Sequence, residues 1–454
     1  MKRFLSVLLF LSIFSSVGKA QPTPKQPQWS KLYIAPDKRV ISRGDGKPFY
    51  WLGDTAWELF HRLTKEEADF YLKRRAEQGF TVIQAVALAE FNGLGQPNQY
   101  GQLPLKNNNP TQPNELYFQH VDYVVNKATS LGLVIGMLPT WGDKFNKKWG
   151  MGPEVFTPAN ARWYGEWLGK RYKGKAIIWI LGGDRNPETE KHFSIINAMA
   201  EGLKAGHGGT QLMTYHPMGG SNSAAFFHKE SWLNLNMFQS GHSAKNAKNY
   251  VMQRQNYQLF PVKPTLDGEP RYEDHPIDWK PEKDYFNSHD VRQAAWWAML
   301  SGGAGHTYGD HNVWQFFDPN RNPAVSVART HWRIATNHEG AWQMGYQRKL
   351  FEAYSWAQLV PDQSVIKNDN PEDAGYQMAA IGENKDFMFV YSPTGKPLKI
   401  DLSKLTISQL KASWFNPRDG VSTPIRSVKN EGIQEFKPPV ACPTCDWTLV
   451  IGGK

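Results

Sequence analysis

The sequence predicts an α/β protein, a (β/α)8 (TIM) barrel followed by a small C-terminal all-β sandwich, and three observations carry the prediction. Eight short apolar runs recur between about residues 30 and 345. Amphipathic stretches with helix start and stop signals separate several of them, the alternation that a parallel barrel requires. From about residue 360 the pattern changes to short alternating segments divided by turns, as in an antiparallel domain.

The eight strand candidates are residues 49–53, 81–88, 133–138, 176–181, 211–215, 235–239, 264–266 and 303–308. Between them, Thr64 and Glu67 form a capping-box pair ahead of a helix over 68–78, and Gly79 is its stop signal. Asn114 opens a helix over 115–130 with an apolar stripe at Val121, Val124, Val125 and Ala128. Asn160 opens one over 161–172, and another runs over 289–300 before Gly302. The fifth and sixth helices have the weakest patterns. An open doubly wound sheet is the competing topology, but no Gly-rich phosphate loop follows the first strand. In the last ninety or so residues, strands are expected at 377–381, 386–391, 398–402, 411–415 and 447–451. Turns at Ser392-Pro393-Thr394-Gly395 and Asn416-Pro417-Arg418-Asp419-Gly420 divide them.

The first twenty residues read as an export signal. Lys2 and Arg3 precede an apolar run over 4–14, and small residues over 15–20 lead into a polar, proline-rich stretch, so cleavage is expected after Ala20. The domain assignment is therefore 1–20 leader, 21–359 barrel with an N-terminal extension, and 360–454 β-sandwich. No later stretch is apolar for long enough to span a membrane. Periplasm, cell surface and external medium all fit, and a monomer is expected. After export, Cys442 and Cys445 are expected to form a small loop disulfide, because two thiolates alone do not complete a zinc shell.

Charge adds little. The chain carries 52 Lys+Arg against 42 Asp+Glu, and Lys2, Arg3 and Lys19 of that excess fall in the leader. The remainder is spread along the chain, which gives no support for nucleic-acid binding and leaves room for anionic polysaccharides. The 18 tryptophans are more informative, since indole faces serve as platforms for the C–H faces of sugars; core packing is the competing use.

In a parallel barrel the residues just past the C-terminal strand ends converge on one face. Here they read Gly53-Asp54-Thr55-Ala56-Trp57, Glu90-Phe91-Asn92, Pro139-Thr140-Trp141, Gly182-Gly183-Asp184-Arg185-Asn186, Tyr215-His216-Pro217, Gln239-Ser240-Gly241-His242, Asp267-Gly268-Glu269-Pro270 and His306-Thr307-Tyr308. Asp184 after the fourth strand and Glu269 after the seventh face each other across the mouth. Two carboxylates so placed can flank one glycosidic bond, one protonating the leaving oxygen and the other attacking or activating water. Repulsion from the ionised partner keeps the acid protonated.

Six segments, Gly53-Asp54-Thr55-Ala56-Trp57, residues 84–94, Gly182-Gly183-Asp184-Arg185-Asn186, Tyr215-His216-Pro217, residues 267–273 and Trp414-Phe415-Asn416-Pro417-Arg418, together resemble glycoside hydrolase family 140, the apiosidase-like bacterial enzymes. The resemblance spans nearly the whole mature chain, including a C-terminal domain labelled collagen-binding in related chains. It implies a retaining enzyme that removes apiose-linked side chains from the pectic polysaccharide rhamnogalacturonan II, with Asp184 as acid/base and Glu269 as nucleophile. An aspartate stands here where wider sets of such barrels carry a glutamate. Neither a metal nor an organic cofactor is implied.

Around this pair, Asp54 and Glu90 are candidates for binding sugar hydroxyls or for structural pairing with arginine. His216 and Asn186 are candidates for holding the nucleophile or a hydroxyl, Tyr272 for orienting Glu269, and Trp57 and Trp141 for stacking. Arg185 either meets a uronate or pairs with the acids. Glu273 is the rival nucleophile. The partner is a plant cell-wall polysaccharide or oligosaccharide; the alternatives are another polysaccharide on the same scaffold, or a non-catalytic carbohydrate- or collagen-binding surface protein.

Overall fold

In the computed structural model, residues 31–452 are described; the expected leader lies outside the described residues. A three-stranded antiparallel meander (Leu32–Ile34, Ile41–Arg43, Pro48–Phe49) leads into eight parallel strands. These are β1 (Trp51–Thr55), β2 (Val82–Val86), β3 (Val134–Leu138), β4 (Ile177–Gly182), β5 (Met213–His216), β6 (Asn236–Phe238), β7 (Thr265–Asp267) and β8 (Gly305–Tyr308). Six are paired in the order β8-β1-β2-β3-β4-β5, and β6 pairs with β7. Backbone hydrogen bonds help close the ring: Asn234 N–H donates to the Met213 carbonyl at 2.9 Å, and Ala304 N–H to that of Thr265 at 2.9 Å.

Alternation along the strands builds two cores. Inward residues such as Trp51, Val82, Val86, Val134, Leu138, Ile178, Ile180 and Leu266 fill the barrel, with Ile41 and Phe49 of the meander packed among them. Outward residues such as Leu52, Ile83, Ile135, Met137, Trp179 and Leu181 pack under the helices.

Each strand is followed by a helix: α1 (Lys65–Glu77), α2 (Glu115–Ser130), α3 (Pro158–Arg171), α4 (Glu190–His207), α5 (Ala224–Phe227), α6 (Asn249–Tyr257), α7 (Ser288–Leu300) and α8 (Glu339–Glu352). The Thr64–Glu67 capping box is present on α1. The cap of α3 is Thr157, with Asn160 as its reciprocal partner one turn in, so that helix starts earlier than Asn160 suggested. α5 is a single turn, too short for a periodic signature.

The C-terminal region is antiparallel. Strands β9 (Leu359–Pro361), β10 (Met378–Gly382), β11 (Phe387–Ser392), β13 (Gln409–Phe415), β14 (Ser422–Lys429) and β16 (Trp447–Gly452) form one sheet in the order β9-β10-β11-β16-β13-β14. β12 (Leu398–Asp401) and β15 (Ile433–Phe436) pair separately. One face of the large sheet buries Ala379, Ile381, Met388, Val390, Leu449 and Ile451 against Leu398 and Ile400 of the small one. The opposite face presents Met378, Ala380, Phe387, Phe389, Tyr391 and Val450, which join the core under the barrel helices. Tyr391 stacks on Trp296 of α7, centroids 5.4 Å apart. Cys442 and Cys445 are disulfide-bonded. Among the described residues no helix is long and apolar enough to cross a membrane.

Candidate active site

A cleft of about 660 Å³ opens at the C-terminal end of the barrel, and both Asp184 and Glu269 line it. Local backbone explains how Asp184 reaches it. β4 ends at Gly182 and Gly183 follows, with φ of 92° and 106°, and Asp184 itself has φ 53°. A Cβ on Gly182 would fall 2.4 Å from the His216 carbonyl, and one on Gly183 would fall 2.9 Å from Gly142 N and 3.0 Å from the Trp141 ring. The strand therefore turns sharply into the mouth only because two glycines allow it. Among acids, aspartate tolerates positive φ best, a local reason for the short acid at this place.

Glu269 is fixed from both sides. His216 Nδ1 accepts the backbone N–H of Asp184 at 3.2 Å, so its Nε2–H faces the nucleophile candidate; Nε2 lies 3.0 Å from Glu269 Oε2. His242 Nε2 lies 3.1 Å from Oε1. Behind the carboxylate, Gly241 N–H donates to the Glu269 carbonyl at 3.0 Å, and Gln84 reaches across the barrel from β2 to donate to the Gly268 carbonyl at 2.9 Å.

The two carboxyls are driven in opposite directions. Burial first, and then the negative charge of Glu269, raise Asp184 to about 6 against the pull of Arg185. Burial also opposes ionisation of Glu269, but the hydrogen bonds and field of His216 and His242 outweigh it and hold that carboxyl below the ordinary range. One carboxyl biased toward its protonated form and one biased toward its ionised form share one cleft.

Of the other predicted residues, Trp57, Glu90, Trp141 and Tyr272 line the cleft. Trp57 and Trp141 are only 2% and 5% exposed. They pack on each other at 5.3 Å, and Trp57 sets its edge against His216 at 5.3 Å, so they form the floor that braces the histidine. Tyr272 lies 4.4 Å from the His242 ring, with its hydroxyl buried beside Glu269. Burial, and then the charges of Glu58, Asp184, Asp143 and Glu269, push Glu90 well above the carboxylate range. It faces the cleft with its carboxyl biased toward the protonated form.

Three of the candidates lie outside the cleft lining, and for Asp54 and Arg185 the structure realises the pairing of arginine with carboxylate that was the alternative to sugar binding. Asp54 does not reach the cleft: β1 runs on to Thr55, so Asp54 has the outward parity of Leu52 and is buried against α1, bonded to Tyr71 and, at 2.6 Å, to Arg75 Nε. Arg185 does not line the cleft either. Its guanidinium, 1% exposed, donates to the Asp184 carbonyl at 2.7 Å and to Oδ2 at 3.2 Å, and it lies 3.9 Å under the Trp149 ring. Asn186 ties loops together instead, accepting Met218 N–H at 3.0 Å. The rival Glu273 accepts from Tyr308 at 2.6 Å and from Gly340 N–H at 3.3 Å, outside the cleft lining.

Sequence reasoning missed His242 and two rim indoles, Trp149 and Trp279, which are 60% and 50% exposed and line the cleft. His242 stood at the end of the sixth strand, but its approach to Glu269 depends on the β6–β7 pairing. Exposed indoles over a polar cleft suit the faces of a sugar chain.

This fold and this carboxylate pair define a glycoside hydrolase. The family model for the "Apiosidase-like, catalytic domain" matches residues 35–358, and the chain belongs to that family. Residues 360–452 match the model "Putative collagen-binding domain of a collagenase". Among solved structures, a protein described as a glycoside hydrolase is 31% identical, with TM-score 0.86 over 94% of this chain and 98% of that one. A family 5 glycoside hydrolase from Bacteroides vulgatus ATCC 8482 is 30% identical, with TM-score 0.87 over 94% of each chain. No match is found among curated proteins.

Proposed function

We propose that the protein is an exported, retaining glycosidase of family 140 that cleaves apiosyl linkages in rhamnogalacturonan II. The observation that carries the chemistry is that Asp184 and Glu269 line one cleft while His216 and His242 lie 3.0 and 3.1 Å from the Glu269 carboxyl. Glu269 attacks the anomeric carbon while Asp184 gives its proton to the departing oxygen, leaving a glycosyl ester on Glu269. Asp184, now ionised, takes a proton from water, and that water displaces the ester and frees Glu269. His216 and His242 hold the attacking oxygens in place and favour the carboxylate as leaving group in the second step. Glu90 donates to a hydroxyl of the reacting sugar, where a hydrogen bond that strengthens in the transition state contributes most.

The apiosyl assignment is supported by the family model matched over the barrel, and export by the leader-like residues 1–20. A second reading keeps the chemistry and changes the sugar; the 30% identity to a family 5 enzyme favours testing it. Incubation with rhamnogalacturonan II, followed by chromatography of released sugars, separates the two. Free apiose from the parent and none from Glu269→Gln is the expected result; release of a different sugar selects the second reading, and no release from any pectic or hemicellulosic polymer contradicts both.

A further inference from the structure

A second opening, of about 610 Å³, lies where the barrel meets the β domain, and nothing in the catalytic chemistry uses it. Ser288 of α7, Trp342, Gln343 and Tyr346 of α8, and Arg418 and Thr444 of the C-terminal region line it. Neither half of the molecule makes it alone.

Its construction is specific. Trp342 and Tyr346 are four residues apart on α8, so both half-buried residues lie on one helical face, and both line the opening. The turn Asn416-Pro417-Arg418-Asp419-Gly420 is seated on that face: a Cβ on Gly420 would fall 2.9 Å from the Tyr346 ring. Arg418 lies 4.8 Å over the Trp447 ring and donates to the Asp446 carbonyl at 2.7 Å, and its side chain keeps 30% exposure. Gln343 Oε1 accepts from Arg292 at 2.6 Å, which fixes the amide at the base. Arg292 and Arg418 share the buried carboxylate of Asp446, and exposed Glu339 stands at the rim, so the charges nearly balance. An aromatic wall facing fixed amide, guanidinium and hydroxyl groups is the recognition chemistry of a hydroxyl-rich chain.

Position links this opening to catalysis. Barrel helices begin at the catalytic face, because each follows a strand that ends there. The first turn of α8 is tied to the loop bearing Glu269 through the Gly340–Glu273 hydrogen bond, with Glu273 four residues beyond Glu269. We propose that this junction cleft is a second glycan-binding site, which holds a further stretch of the polysaccharide beside the catalytic mouth. The proposal rests on the chain acting on a polysaccharide and is independent of which sugar it removes.

The test is electrophoresis of the full chain, made inert by Glu269→Gln, through native gels containing rhamnogalacturonan II, homogalacturonan, xyloglucan or gelatin. At least one polysaccharide should retard the protein, and adding Trp342→Ala with Tyr346→Ala should weaken that retention by about five-fold or more. In the active enzyme the same two changes should raise KM for the retarding polymer while kcat, and turnover of a short oligosaccharide, stay within about two-fold of the parent. Asn337→Arg, at an exposed lining position, fills the cleft without touching the core and should reproduce the loss; it decides the matter if the alanine pair does not fold. Unchanged retention in Asn337→Arg and in a folded alanine pair, retention by gelatin alone, or no retention in any gel overturns the proposal. The apiosyl reading is decided separately, by the identity of the released sugar.

Discussion

In the proposed mechanism Asp184 has to hold a proton when Glu269 has to lack one, and the pH dependence of turnover follows from how each is held. Asp184 is raised to about 6, so the general acid is lost as pH rises through that value, and kcat/KM should decline on the alkaline side there. Glu269 is lowered, so the attacking carboxylate survives until pH falls below the ordinary glutamate range, and the acid limb should lie correspondingly low. His242→Ala removes one of the two imidazoles that hold Glu269 ionised; the acid limb should move up by about one pH unit while the alkaline limb stays near its place. A profile in which the acid limb is unmoved would remove His242 from the account. The positions of both carboxyls were legible in the chain because strand ends of a barrel are legible. Their opposite bias in ionisation was only half legible, since His242 approaches Glu269 through the pairing of two three-residue strands that leave almost no periodicity to read.

At the scale of elements, the decisive feature is how a strand ends. β4 ends at Gly182 and Gly183 follows, with Asp184 next in the left-handed region, whereas β1 continues one residue past the acid at its end and turns Asp54 outward into α1. An acid inside the strand takes the strand's outward parity and is buried against a helix, whereas an acid carried past the strand end by a two-glycine turn is aimed into the cleft. The motif Gly53-Asp54-Thr55 does not contain that information. Gly183→Ala should cost about 1–2 kcal/mol for the backbone conformation alone. It should also push against Trp141 and displace Asp184, so kcat should fall by more than ten-fold with a melting temperature lowered by only a few degrees. Parallel thermal denaturation and steady-state kinetics check this; full activity in a folded variant would mean that the turn does not aim the acid. The caps of α1 and α2 were readable for the same local reason that α5 was not: a cap is two or three residues, and a single turn has no period.

For the whole molecule, the alternation of the C-terminal sheet decides the relation of its two parts. Residues of one parity form a core within the β domain, while Met378, Phe389 and Tyr391 of the other parity belong to the core under α7 and α8. Arg292 of α7 also donates to Asp446 at 2.8 Å, both groups being buried. A chain ending at residue 358 would expose that apolar face and leave Arg292 without its carboxylate, and it should accumulate as insoluble protein. Soluble, fully active truncated enzyme, measured by fractionation and assay, would contradict the shared core. The change of pattern near residue 360 was readable as a change of class, but the fusion of the two cores was not, since either face of an alternating strand can be the inner one. In the proposed mechanism, turnover requires Glu269 to bond to sugar in the intact enzyme. The most direct measurement is mass spectrometry of peptides after reaction with a 2-fluoro derivative of the released sugar carrying an activated leaving group. One sugar ester on the peptide at Glu269 is the predicted result; an ester on Glu273 or Glu90, or steady turnover with no ester on any residue, would contradict it.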